Sequence, residues 1–159
     1  MRMLLHHTTA NAQVSWLVGV WIGKDAAANK AQIKLLGKLL AEFPSANLAG
    51  IAVGNEAISR GDVTEQQLLQ YIAQVREVVR ATAQQARSHR LAAVPVLTVE
   101  LPAAVSPELV AAVDGVGAVL QPFFTGAVDT THKSWAESAV AVAVQQYRQL
   151  QGEAQGKRW

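Results

Sequence analysis

Cysteine is missing from the 159-residue chain, which excludes disulfides and thiolate chemistry and says nothing about compartment. Charge is sparse: 16% of residues are charged against 50% hydrophobic, a balance that excludes a disordered chain. The net charge is only +2 and the pI about 9.2, with the basic residues spread along the chain. That distribution offers no footprint for nucleic acid or a membrane surface, and the basic end "GKRW" is too short to make a patch. No apolar run approaches the ~20 residues that a membrane span requires. The beginning, "MRMLLHHTTANAQ", carries too short an apolar run for a signal peptide. Histidine is scattered over His6, His7, His89 and His132 with no carboxylate at metal-site spacing, so no metal is expected. Phosphate-binding loops are lacking too. "GVWIGKD" has neither the four-residue spacer nor a Ser or Thr after its Lys. No G-x-G-x-x-G opens a helix, and "GVG" at 115–117 precedes a strand. No nucleotide or other cofactor is expected.

What is present is an alternation of apolar strands and amphipathic helices in one domain, 1–159. "WLVGVWI" (16–22) reads as a strand buried on both faces. Residues 26–43 repeat Ile33, Leu36, Leu40 and Phe43 at helical spacing, and Pro44 and Ser45 end that helix. "LAGIAVGN" is a second buried strand. Thr64 and Gln67 form a capping box for a helix from Glu65 to about Arg87. "AAVPVLTV" (92–99) is a third strand. Ser106-Pro107-Glu108 opens a short helix with an N-cap and a proline at its first position. "GVGAVLQPFF" holds a fourth strand, and a last helix runs from about Thr131 to Gln151. Apolar strands alternating with helices predict an α/β fold with a parallel sheet covered by helices. Two architectures fit: a doubly wound open sheet or a piece of a (β/α)8 barrel. In both, chemistry sits at the carboxyl ends of the strands.

Those ends deliver a definite set of side chains. The first strand leads to Trp21, Gly23, Lys24 and Asp25, where Asp25 reads as a helix-start residue. The second ends at Asn55 and Glu56. The third ends near Thr98 and Glu100, and the fourth at Gln121, Pro122, Phe123 and Phe124. Carboxylates for acid/base work, an amide for hydroxyls and ring faces for stacking suit a carbohydrate. A general acid also needs partial burial, which the end of a buried strand supplies. "SRGD" (59–62) precedes a helix cap and reads as a turn. Arg76, Arg80 and Arg87 read as a solvated helix face.

The segment "IAVGNEAISRGDVTEQQLLQYIAQVREVV" resembles the acid/base segment of glycoside hydrolase family 17, the (β/α)8-barrel β-1,3-glucanases and glucan transglycosylases. "LVGVWIGKDAAANKAQI" and "VDGVGAVLQPFFTG" followed by Trp135 resemble neighbouring blocks, so the likeness covers most of residues 16–150. It implies that Glu56 is the general acid/base of a retaining mechanism on β-1,3-glucan. It implies that Asn55 binds the hydroxyl beside the anomeric carbon, and that Phe123 and Phe124 stand where relatives carry an aromatic near the reacting sugar. Trp21 would be a subsite wall. The family's setting implies an extracellular or cell-wall location.

The resemblance also implies what is missing. The family's nucleophile lies on strand seven, in a segment like "VVIGETGWPS", and this sequence has none. The chain is expected to hold roughly strands three to six of an incomplete barrel, with weak or no activity by itself. Its open sheet edges are then surfaces for self-association. Glu100 is the one acid placed to stand in for the nucleophile. The competing readings are a non-catalytic glucan-binding remnant and a small doubly wound domain of unrelated function.

Overall fold

The computed structural model describes residues 15–44, 47–122 and 135–153. β1 (Trp16–Val20) leads into α1 (Ala26–Glu42), β2 (Leu48–Asn55) and α2 (Glu65–Gln85). A four-residue helix α3 (His89–Ala92), β3 (Val96–Glu100), a 3-10 turn (Pro102–Ala104), α4 (Pro107–Ala112), β4 (Gly115–Ala118) and α5 (Trp135–Glu153) complete the order. The strands form one sheet in the order β1-β2-β3-β4, and every pairing is parallel.

That order decides between the two architectures. A doubly wound sheet reverses its direction of growth at a switch point. Here each strand is added beside the one before it, as in a barrel wound one way. The doubly wound alternative is set aside, and the incomplete (β/α)8 barrel is what the chain forms.

One face of the sheet carries the core. Val20, Ile22, Ile51, Val53, Val96 and Val116 are buried with Ile33, Leu36 and Leu40 of α1 and with Leu68, Ile72, Val75 and Val79 of α2. Period-two alternation is plain in β1, where Val20 is buried while Leu17 is 56% exposed on the other side. The local signals act as read. Asp25 caps α1 by accepting from the amides of Ala27 and Ala28. Thr64 and Gln67 close the capping box on α2, and Ser106 caps α4 ahead of Pro107.

Two boundaries differ. The third strand starts at Val96, because Ser88 caps a helical turn that buries Leu91. Periodicity cannot separate such a short apolar turn from a strand. The fourth strand stops at Ala118; α5 is described over Trp135–Glu153, and its expected start near Thr131 lies outside the described residues. Nor is Arg76 simply solvated. Its guanidinium donates to the Ala112 carbonyl at 3.1 and 3.2 Å and pairs with Asp114 at 3.0 Å. Asp114 also accepts from the Val96 amide at 2.8 Å, so this cluster pins the amino ends of β3 and β4 to α2.

Candidate active site

The carboxyl end of β2 is irregular. Ala52 pairs with Leu97 but Asn55 pairs with Val99, so β2 carries one more residue than its partner over this interval. Gly54, inside that bulge, has φ +77. A bulge resets the alternation of a strand and re-aims the side chains beyond it. Ile51 and Val53 point into the core, and strict alternation would send Asn55 after them. Asn55 instead is exposed, and the next core residue is Ala57.

Glu56 comes next with φ +53, the left-handed region that a non-glycine residue enters only when its surroundings hold it. Its amide donates to the Val99 carbonyl at 2.8 Å, and its own carbonyl accepts from the Arg60 amide at 2.8 Å. The backbone of Glu56 is thus clamped between β3 and the turn after it. The side chain is half-buried. Among the described residues no hydrogen bond or ion pair engages its carboxylate, nor the Asn55 amide, so both remain available to a ligand.

Arg60 organises the rim. Its guanidinium donates to the Asn55 carbonyl and, at 3.1 Å, to the Ile22 carbonyl. It pairs with Asp62 at 2.7 Å and lies 4.3 Å from the centroid of the Trp21 ring. One planar cation thereby joins the end of β1 to the end of β2 and backs Trp21, which is 54% exposed. On the β1 side, buried Asn29 exchanges two hydrogen bonds with Gly23, at 2.7 and 2.9 Å, and fixes the loop behind Trp21. We expect Arg60→Ala to cost about 1–3 kcal/mol and to shift Trp21 fluorescence, with Arg60→Lys failing to restore either. Urea unfolding monitored by fluorescence checks this, and wild-type behaviour of the lysine variant would refute the need for a guanidinium that reaches the Asn55 and Ile22 carbonyls and Asp62 together.

Glu100, at the end of β3, is fully buried. Its Oε1 accepts from the Ile58 amide at 2.8 Å. Its Oε2 accepts from the Ser59 hydroxyl at 2.9 Å and the Ser59 amide at 3.4 Å. Both oxygens are committed to the loop after Glu56, so Glu100 is no substitute nucleophile.

A groove of about 320 Å³ runs along the concave face beside these residues, lined in part by Leu17, Gly19, Trp21, Ala52, Asn55 and Val99. A larger hollow of about 720 Å³ lies between the carboxyl end of α2, α3 and Val96. Val96 opens β3, which puts that hollow at the amino ends of the strands, away from where parallel α/β folds do chemistry.

Of the residues singled out by sequence, the structure brings Trp21, Asn55 and Glu56 to one rim. Phe123 and Phe124 lie outside the described residues. By sequence alone Arg60 reads as part of a turn and Glu100 only as an acid that could stand in for the nucleophile; the structure makes both of them anchors of the rim. The signals for that were a charge pair two residues apart beside the candidate acid, and an acidic residue closing an apolar strand.

A parallel β/α array wound in one direction, with a clamped carboxylate at a strand's carboxyl end, defines part of a (β/α)8 barrel with a candidate acid/base at its rim. The chain belongs to the BtgE/BtgC glycoside hydrolase domain family, which matches residues 3–159. The likeness to glycoside hydrolase family 17 read from the sequence stands with it. The chain is similar in structure to an active-site mutant of a β-1,3-glucanosyltransferase from Rhizomucor miehei in complex with laminaritriose. The TM-score is 0.73 and the identity 24%, over 91% of this chain and 47% of that one. It is similar to a further structure described as the glycoside hydrolase family 17 β-1,3-glucanosyltransferase from the same organism, with TM-score 0.72, 24% identity and the same coverage. The chain therefore spans about half the length of these structures. No curated protein matches it.

Proposed function

We propose that the chain carries the acid/base half of a retaining site for β-1,3-glucan, with Glu56 as the proton donor and acceptor. The observation that carries this reading is the backbone of Glu56. A bulge, a positive φ and two hydrogen bonds hold its half-buried, unengaged carboxylate at the carboxyl end of β2. In that role Glu56 protonates the departing glycosidic oxygen, then takes a proton from water or from an acceptor sugar. The exposed amide of Asn55 donates to a sugar hydroxyl, and Trp21 offers a ring face, stiffened from behind by Arg60, to a pyranose. The laminaritriose bound by the structural neighbour supports glucan as the ligand.

A retaining pair needs a second carboxylate about 5–5.5 Å away. Glu100 is committed to the loop and Asp62 is paired with Arg60, so neither of these acids of the rim is offered as that second carboxylate. The reading therefore assigns this chain oligosaccharide binding and the proton-transfer role, with slow turnover at most when assayed alone. The test is calorimetric titration with laminaritriose, alongside turnover of β-1,3-gluco-oligosaccharides by wild type and Glu56→Gln. Binding with turnover that depends on Glu56 supports the proposal. Binding with no turnover by the wild type favours a non-catalytic glucan-binding domain, and absence of binding defeats both readings.

A further inference from the structure

Glu100 is the one fully buried acidic side chain among the described residues, and no Lys, Arg or His pairs with it there. Burying a carboxylate without a cation is costly, and an apolar side chain of similar size would often be the more stable choice. What offsets the cost is local. The chain after Glu56 makes a compact turn, with Arg60 N–H bonded to the Glu56 carbonyl, Gly61 N–H to Ile58, and Asp62 N–H to Ala57. The leading amides of such a turn have no partner within it. Two of them, Ile58 and Ser59, are met by Glu100, and the Ser59 hydroxyl adds a third contact. Consecutive amides converging on a carboxylate form a strong, directional anchor. Meanwhile the residue before Glu100, Val99, accepts from the Glu56 amide itself. The end of β3 therefore grips the loop on both sides of the Glu56 side chain.

We propose that Glu100 is a positioning residue for the acid/base group. It locks the 56–60 turn so that Glu56 keeps its left-handed backbone and its place at the rim. This rests on the reading of Glu56 as the acid/base. A Gln at 100 retains the size and one acceptor, but turns an N–H₂ toward the Ser59 amide and breaks that contact. The expected result for Glu100→Gln is a folded protein with a cooperative melt. Its Ile58 and Ser59 amide proton resonances move upfield, amide exchange quickens through residues 56–60, and laminaritriose affinity falls about tenfold, because the same turn carries Arg60, which holds the Asn55 carbonyl and the Trp21 ring at the rim. Val96→Ala is the control. It hollows the core at the opposite end of the same strand, where Val96 is 1% exposed. It should lower the melting temperature while leaving the loop signals and the affinity near wild type.

Two results overturn the proposal: loop exchange in Glu100→Gln that matches wild type, or an equal loss of affinity in Val96→Ala. A wild type that does not bind laminaritriose defeats the functional reading instead, and the loop resonances then judge the role of Glu100 alone.

Discussion

Glu56→Gln is expected to lower any hydrolysis or transfer of β-1,3-gluco-oligosaccharides that the protein supports by a factor of about 10²–10⁴, the usual contribution of a positioned acid/base. The amide has nearly the same size and cannot exchange a proton with the glycosidic oxygen. The groups that hold this position act on the backbone: the Val99 carbonyl on the Glu56 amide, and the Arg60 amide on the Glu56 carbonyl. Replacing the side chain disturbs neither, so the fold, the melting temperature and laminaritriose affinity should stay close to wild type. The loss should therefore fall on kcat and kcat/KM together, the pattern of an interaction made only in the transition state. Initial-rate measurements on a reducing-end-labelled oligosaccharide provide the check. Equal rates in the two proteins would remove Glu56 from the mechanism.

Gly54→Val should give the largest loss of stability, about 2–5 kcal/mol, and for two separate reasons. Gly54 has φ +77, where a β-branched residue is strained whatever space surrounds it. A Cβ there would also stand 3.0 Å from Cδ1 of Leu68 and 3.4 Å from the Cβ of Ala57, both completely buried. Leu68 is the first core residue of α2, so its side chain, packed on every side, would have to give way by a few tenths of an ångström. Gly54→Ala keeps the backbone strain and lessens the clash, and its cost should fall between wild type and valine. Urea unfolding of the three proteins measures the series. A valine variant as stable as wild type would show that the bulge does not need glycine. Because the bulge also aims Asn55 and Glu56, the valine variant should bind laminaritriose poorly even where it remains folded.

The strands, their parallel sense and the helix caps were legible because they rest on local chemistry. Asp25, Thr64 and Ser106 each cap the helix they precede, and the apolar runs mark β1 and β2 as strands, although β1, expected to be buried on both faces, buries only one and leaves Leu17 56% exposed. The short helix at His89–Ala92 was not legible, since one turn around Leu91 has no period to read. At the site, the candidate acid and its neighbour Asn55 stood out from type and place. The anchors did not. Arg60 reaches carbonyls at Asn55 and Ile22, the latter 38 residues away, and Glu100 reaches amides 41 and 42 residues away.

By itself the sequence determined an α/β chain with parallel strands and a carboxylate at the end of the second one, because hydrophobic period and capping are properties of neighbours along the chain. The family likeness implied part of a barrel, which hydrophobic period alone left open, and the tertiary structure bears it out with a sheet wound one way. The tertiary structure alone decided that a bulge at Gly54 turns Asn55 out of the core, and that Glu100 serves the loop of Glu56 rather than reacting beside it. Each of those outcomes depends on which strand lies next to which, and strand adjacency is set by burial shared among segments far apart in the chain.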